Sequence, residues 1–133
     1  MPNSTLQKRS RRYSVLVSDD SDECRETLGE LLEADGFEAF LACNGEEAMT
    51  IFQRELIDLL VMDMLMPGLS GLQTLQMIRQ RSRRPVPCIF ITATDSPELR
   101  RQAMQAEAFT VLPKPISADL VRAAVRLALK KYF

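Results

Sequence analysis

The chain has no histidine and only three cysteines, and these shortages exclude several kinds of catalytic and metal site. A Ser-His-Asp or Cys-His nucleophile needs an imidazole, and so does a His-ligated zinc site. Cys24, Cys43 and Cys88 are far apart, form no Cys-x-x-Cys pair and are odd in number. This usage favours reduced thiols in a cytosolic protein, and we expect the three side chains to be small buried apolar residues.

Long apolar runs are also missing from the chain. No uninterrupted apolar stretch approaches the ~20 residues of a membrane-spanning helix, and the N-terminus lacks the apolar centre of a signal peptide. We therefore expect no membrane segment and a cytoplasmic location.

Charge is distributed unevenly along the 133 residues. Residues 1–14 carry four bases and no acid, whereas the remainder carries 13 bases against 18 acids. Residues 1–12 show no hydrophobic period, so we expect a disordered basic arm there and one folded domain at 13–133. We interpret the arm as a solubilising tail. Contact with nucleic acid or an anionic membrane is the alternative, but four charges support it weakly, and we expect no nucleic-acid binding by the folded domain.

Five short apolar runs alternate with five amphipathic segments. The runs predict strands at 13–18, 37–42, 59–62, 86–92 and 109–112. The amphipathic segments predict helices that begin at serine or asparagine caps, and Ser70 with Gln73 has the pattern of a capping box. Alternation with short connections predicts an α/β fold, a doubly wound five-stranded parallel sheet with five helices.

Polar residues stand where the predicted strands end. Asp19 and Asp20 follow the first strand, Asp63 follows the third, Thr92 ends the fourth and Lys114 follows the fifth. In open α/β sheets, ligands bind beyond the carboxyl ends of the strands, where the strand order reverses. With the strand order 2-1-3-4-5, all five side chains meet at one rim of the sheet.

Three carboxylates at one rim need a cation or must take up protons. At about 4 Å and an effective dielectric near 20, each pair of like charges costs on the order of 4 kcal/mol. Oxygen ligands without histidine or cysteine select a hard divalent ion, and open coordination positions favour Mg²⁺. A lysine and a threonine hydroxyl beside such an ion complete the groups that phosphoryl transfer requires. The residues therefore predict an aspartyl phosphate on Asp63.

The stretches VLVSDDSDECRETL, ADGFEAFLACNGEEAM, DLLVMDMLMPGLSGLQ, FITAT and LPKPI resemble the receiver domain of two-component response regulators, in letters and in mutual spacing. The resemblance spans residues 14–130. It implies a flavodoxin-like fold of the chemotaxis-regulator type and a phosphoacceptor signalling switch. Such a domain catalyses its own aspartyl phosphorylation and dephosphorylation and does not act on an external metabolite.

The resemblance also implies partners. Because this chain has no histidine, the phosphoryl donor would be a separate histidine kinase or histidine phosphotransfer protein. The output would be a changed face formed by the fourth helix, the fifth strand and the fifth helix. The chain ends directly after the fifth predicted helix, so we expect either a single-domain regulator or the receiver of a longer protein. The downstream target or fused effector is not identified, and a homodimer is left open.

Position by position, the resemblance assigns a magnesium site. Asp63 corresponds to the phosphoacceptor, and Asp20 and Asp63 correspond to the carboxylates that bind Mg²⁺ directly. Asp19 corresponds to an acid that acts through water, and the backbone carbonyl of Leu65 corresponds to the third protein ligand.

The resemblance assigns the surrounding residues as well, with one departure. Lys114 would pair with the phosphoryl group, Pro115 would follow a cis peptide bond, and Thr92 would bind a phosphoryl oxygen. An aromatic residue usually lies three positions before the lysine, where this chain has Val111. Phe109 lies two positions earlier, and a period of two would place it on the same face of the strand.

Three other interpretations stay open. Asp19 and Asp20 are also compatible with acids that merely favour a helix N-terminus. A non-phosphorylated pseudo-receiver would serve only as a protein-interaction module, and Val111 is the feature that supports it. A flavodoxin-like electron carrier would need a phosphate-binding loop rich in Ser, Thr and Gly after the first strand, where this chain has DDSDE.

Overall fold

Five parallel strands run through the described part of the chain. The structure is a computed structural model that describes residues 12–94 and 96–133, so the predicted arm lies outside the described residues except for Arg12. The strands are β1 (Ser14–Ser18), β2 (Glu38–Ala42), β3 (Leu59–Asp63), β4 (Cys88–Thr92) and β5 (Thr110–Pro113). Their order across the sheet is β2-β1-β3-β4-β5, which confirms the predicted order.

Five helices connect and follow these strands, as predicted. They are α1 (Asp22–Ala34), α2 (Gly45–Arg54), α3 (Gly71–Arg81), α4 (Pro97–Gln105) and α5 (Ala118–Tyr132). A serine or asparagine side chain caps each helix by accepting a backbone N–H from its first turn, which typically stabilises a helix end by ~1 kcal/mol. Ser70 and Gln73 form the reciprocal bonds of a capping box. None of these described helices is long and apolar enough to cross a membrane.

The central strands are buried on both faces of the sheet. Successive side chains of a strand point to opposite faces. Leu16, Leu60 and Phe90 therefore pack on the side covered by α2, α3 and α4. Val17 and Val61 pack on the other side, against α1 and α5. Helices on both faces explain why these strands are continuous apolar runs rather than alternating ones.

The cysteines depart from the prediction. Cys88 is buried in β4, but Cys24 is only half-buried and Cys43 is exposed. Cys43 directly follows β2. Because β2 is an edge strand, no further strand lies beside it to shield Cys43 from solvent. The prediction of three buried cysteines was therefore wrong for two of them.

The loop after Asp63 turns back closely against β3. The backbone N–H of Gly71 donates to the carbonyl of Met64 at 2.9 Å. A Cβ atom at Gly71 would clash with the carbonyl oxygen of Asp63 and lie 2.9 Å from the Cα of Met64. Because both neighbours are backbone atoms, they cannot turn aside as a side chain could. Glycine at this position therefore allows α3 to start directly beneath the end of β3.

We expect Gly71→Ala to lower the free energy of unfolding by ~1–3 kcal/mol, because the added methyl group overpacks fixed backbone. Urea unfolding measures the change. Gln76→Ala, on the exposed side of the same helix, is the control and should stay within ~0.5 kcal/mol of the original chain. Equal stability of the two variants would contradict the close packing described at Gly71.

Candidate functional site

Three aspartates converge at the carboxyl ends of two neighbouring strands. Asp19 and Asp20 follow β1, and Asp63 is the last residue of β3, which pairs in parallel with β1. One carboxylate oxygen from each residue lies within 4.8 Å of the others. Asp19 is 1% exposed and Asp63 is 5% exposed, whereas Asp20 faces solvent. The structure thus brings the predicted carboxylates together, with two buried and one open to solvent.

Backbone groups and one arginine hold Asp19 in place. The N–H of Ser21 donates to Asp19 Oδ1 at 2.9 Å, and Arg25 Nη1 donates to the Asp19 carbonyl at 2.8 Å. Arg25 was not among the site residues predicted from the sequence. A side chain that contacts a backbone carbonyl produces no recognisable sequence motif. The only sequence feature that could have indicated this role is the position of Arg25 in the first half of α1, close to Asp19.

Lys114 supplies the positive charge of the site. Its Nζ lies 3.0 Å from Asp19 Oδ2 and 3.1 Å from Asp63 Oδ2. The Lys114 backbone N–H donates to the Thr92 carbonyl at 2.9 Å, and the Lys114–Pro115 peptide bond is cis, as the resemblance implied. The end of β5 is therefore fastened to the end of β4, and the lysine points back across the sheet to β1 and β3.

Burial and charge set the protonation of the site. Burial raises the pKa of Asp63 above its ordinary value, and hydrogen bonds from the Leu65 N–H and from Lys114 offset only part of that rise. Burial acts to lower the pKa of Lys114, but its hydrogen bonds to Asp19 and Asp63 outweigh burial and raise the pKa. Lys114 therefore stays charged at neutral pH, and Asp63 takes up a proton more readily than an ordinary aspartate does.

Cys24 is a neighbour of the site that sequence reasoning did not place there. Burial raises the pKa of its thiol to about 12, and a hydrogen bond to Asp19 adds to the rise. Cys24 therefore stays protonated at neutral pH and does not react as a thiolate.

The donor set fits a hard divalent cation. Asp19 Oδ2 is buried and, within the described residues, accepts no hydrogen bond, although Lys114 Nζ lies 3.0 Å away. Three carboxylates face a single ammonium group, so the cluster keeps an excess of negative charge. Such oxygen ligands, with one of them open to solvent, suit Mg²⁺ better than a softer metal.

Thr92 lies at the same rim, but its hydroxyl is turned toward its own loop. The Thr92 hydroxyl accepts the Thr94 N–H at 3.1 Å and donates to the Thr94 carbonyl at 3.2 Å. It makes no hydrogen bond to Asp63 among the described residues. The threonine is thus placed at the strand end that the sequence predicted, with its side chain engaged elsewhere.

The prediction that Phe109 shares a face with Val111 was wrong. Val111 is buried on the side of the sheet covered by α2, α3 and α4. Phe109 packs on the opposite side, and Lys131 Nζ lies 6.0 Å from the centre of its ring. The strand β5 begins only at Thr110, so the alternation of side chains does not extend back to Phe109.

Comparison with known proteins identifies the family. A family model described as the response regulator receiver domain matches residues 15–126. The transcriptional regulatory protein CpxR of Escherichia coli is 36% identical over 117 residues, which are 88% of this chain and 49% of that protein. The sensory transduction protein RegX3 of Mycobacterium tuberculosis is 33% identical over 118 residues, 89% of this chain and 51% of that protein. This chain thus spans about half the length of these relatives.

A solved structure supports the same relationship. The chemotaxis protein CheY4 of Vibrio cholerae superposes with a TM-score of 0.84 at 25% identity, over 89% of this chain and 99% of that one. Receiver domains of response regulators interact with histidine kinases or phosphotransfer proteins, and they generally bind Mg²⁺ at an acidic pocket. The match of the family model over most of the described residues shows that this chain belongs to the response regulator receiver domain family.

Proposed function

We propose that this chain is a phosphoacceptor switch in which Asp63 takes a phosphoryl group from a phosphohistidine in the presence of Mg²⁺. The observation that carries the proposal is the meeting of Asp63 with two further carboxylates and with Lys114 Nζ, 3.1 Å from Asp63 Oδ2, at one rim of the sheet. The receiver is proposed to comprise residues 13–133, preceded by a basic arm at 1–12. The phosphoryl donor would be a histidine kinase or a histidine phosphotransfer protein. The protein would be located in the cytoplasm.

The reaction would join an Asp63 carboxylate oxygen to phosphorus while the phosphorus–nitrogen bond of the donor breaks, and the imidazole would leave with the electron pair. Mg²⁺, held by Asp19, Asp20, Asp63 and the Leu65 carbonyl, would neutralise charge on the phosphoryl oxygens. The Leu65 N–H holds Asp63 Oδ1 at 3.1 Å and so fixes the orientation of the carboxylate. Lys114 would transfer its hydrogen bond from Asp63 to a phosphoryl oxygen.

The output would begin at Thr92. For its hydroxyl to donate to a phosphoryl oxygen, it must give up its bond to the Thr94 carbonyl, so residues 92–94 would rearrange on phosphorylation. This change would shift the population of the face formed by α4, β5 and α5. Val111 is buried beneath that face and has no bulky ring to swing, so the rearrangement would reach the face through the backbone of β4 and β5.

Incubation with Mg²⁺ and acetyl phosphate should add the mass of one phosphoryl group to the intact chain. Asp63→Asn should not be labelled, because an amide is not a nucleophile for phosphorus. Asp119→Asn, at an exposed aspartate of α5, is the matched control and should label like the original chain. Unlabelled original chain, or equal labelling of Asp63→Asn, would instead favour a pseudo-receiver that acts only as an interaction module.

We expect Asp20→Asn to weaken Mg²⁺ binding about tenfold or more, which is ~1.4 kcal/mol or more, because it removes one of the three carboxylate charges that would attract the ion. Isothermal titration of the metal measures the affinity. Glu55→Gln, which removes an exposed carboxylate just after α2, is the control and should bind Mg²⁺ like the original chain. Unchanged affinity in Asp20→Asn would remove Asp20 from the metal site.

We expect Lys114→Met to lower the free energy of unfolding by ~2 kcal/mol or more in metal-free buffer at neutral pH, because buried Asp19 and Asp63 lose their counter-charge. Urea unfolding with and without Mg²⁺ measures the loss, which should shrink when the ion replaces the ammonium group.

The loss of unfolding free energy caused by Lys114→Met should also shrink on acidification. The pKa of Asp63 is raised in the folded chain, so the folded state holds this proton more tightly than the unfolded one. Ionising Asp63 therefore costs stability as pH rises above 3.8, the ordinary pKa, and lowering the pH toward that value removes the cost. A loss that stays constant with both Mg²⁺ and pH would mean that Lys114 stabilises the fold by packing rather than by charge.

A further inference from the structure

A groove outside the aspartate site runs between α1 and the edge strand β2. It encloses about 350 Å³, and its floor is apolar. Leu41 forms part of the floor and is 39% exposed. The groove is lined by Glu26, Gly29, Glu30, Glu33, Ala39 and Leu41. A cleft with an apolar floor and an acidic wall suits a segment that carries both basic and apolar side chains.

Gly29 shapes the floor of this groove. A Cβ atom there would lie 3.1 Å from Cδ2 of Leu41, which is closer than such contacts ordinarily come. Glycine costs ~1 kcal/mol relative to alanine inside a helix, so its use here keeps α1 close to Leu41 at some expense of helix stability.

The acidic wall is only partly neutralised. Glu26, Glu30 and Glu33 are spaced four and three residues apart, so they lie on one face of α1. Glu33 Oε2 accepts the Ala39 N–H at 2.8 Å, and Glu33 Oε1 pairs with Arg12 Nη1 at 3.3 Å. Within residues 12–94 and 96–133, neither Glu26 nor Glu30 forms an ion pair.

The last residue of the basic arm lies at the mouth of the groove. Arg12, on Glu33, is the first described residue, and residues 1–11 precede it with Leu6, Lys8, Arg9 and Arg11 and with no acid. An extended chain advances ~3.3 Å per residue, so three residues before Arg12 the arm can be ~10 Å away. Glu26 lies seven residues before Glu33, which at 1.5 Å per residue is also ~10 Å along the helix.

We propose that residues 1–11 dock in the groove of their own molecule, with their bases against Glu26 and Glu30. The arm is joined covalently to β1 beside the groove, and the Arg12–Glu33 pair lies at that junction, so the effective concentration of the arm at the groove is high and weak contacts suffice. Docking would cover Leu41, an exposed apolar side chain on the edge strand β2, and unprotected edge strands are places where chains associate. This surface is separate from the proposed phosphoacceptor site.

Limited proteolysis of the full chain by trypsin tests the docking, because a docked arm is protected after its basic residues. Glu26→Gln/Glu30→Gln should raise the initial cleavage rate in the arm at least fourfold at low salt, since each exposed ion pair contributes a factor of about two to five. Glu46→Gln/Glu55→Gln, which changes two exposed glutamates elsewhere, is the matched control and should leave the rate unchanged. An unchanged rate in Glu26→Gln/Glu30→Gln would overturn the proposal.

Two further measurements complete the test. Dilution shows whether the arm docks in its own molecule or in a second copy, and an NMR salt titration of the unmodified chain needs no substitution that could affect folding. Protection that is independent of protein concentration supports docking within one molecule, and protection lost on dilution overturns it in favour of an arm from a second copy. In the unmodified chain, the backbone amide resonances of Gly29 and Leu41 should shift when salt rises from ~0.05 to ~0.5 M, because screening releases the arm. Resonances that do not move would overturn the proposal without any variant.

Discussion

Repulsion among the three aspartates, two of them buried, at the ends of β1 and β3 is the interaction on which the site depends. The fold tolerates this cluster because Lys114 reaches across from β5 and contacts both Asp19 and Asp63. One ammonium group cannot neutralise three carboxylates, and a buried oxygen of Asp19 accepts no hydrogen bond in the described residues. The remaining negative charge is what would attract a divalent ion, and with it a phosphoryl group.

The strand order makes this contact available. In the order β2-β1-β3-β4-β5, the ends of β1, β3, β4 and β5 are consecutive neighbours, so residues far apart in sequence meet at one rim. Asp19 and Lys114 are separated by 95 positions, yet their side chains are in contact. Helices on both faces bury the strands and hold the order in place, and Gly71 lets α3 begin directly under Asp63.

The fold could be predicted from the sequence because its signals are local and consistent. Apolar runs, capping residues and short connections each point to the same alternation, and the strand-end rule then collects Asp19, Asp20, Asp63 and Lys114 at one site. The family resemblance also implied the cis bond before Pro115, which the structure contains. These features depend on residue type and spacing, which a sequence displays directly.

Other features could not be predicted, because they depend on where an element ends or on a contact between distant atoms. Phe109 was assigned to the wrong face because β5 starts one residue later than expected. Cys43 is exposed because its strand is at an edge, and the hydroxyl of Thr92 is held by the backbone two residues further on. The contact of Arg25 with the Asp19 carbonyl has no counterpart in any sequence motif.

The most direct test of the central electrostatic claim is a carbon-detected NMR titration of the Asp63 carboxyl group with and without Mg²⁺. Without the ion, Asp63 should titrate above the ordinary value of 3.8, because burial outweighs its hydrogen bonds. With Mg²⁺, the pKa should fall, because the cation stabilises the carboxylate. A pKa at or below 3.8 without metal, or one that Mg²⁺ leaves unchanged, would contradict the account of this site as a carboxylate cluster that requires a cation.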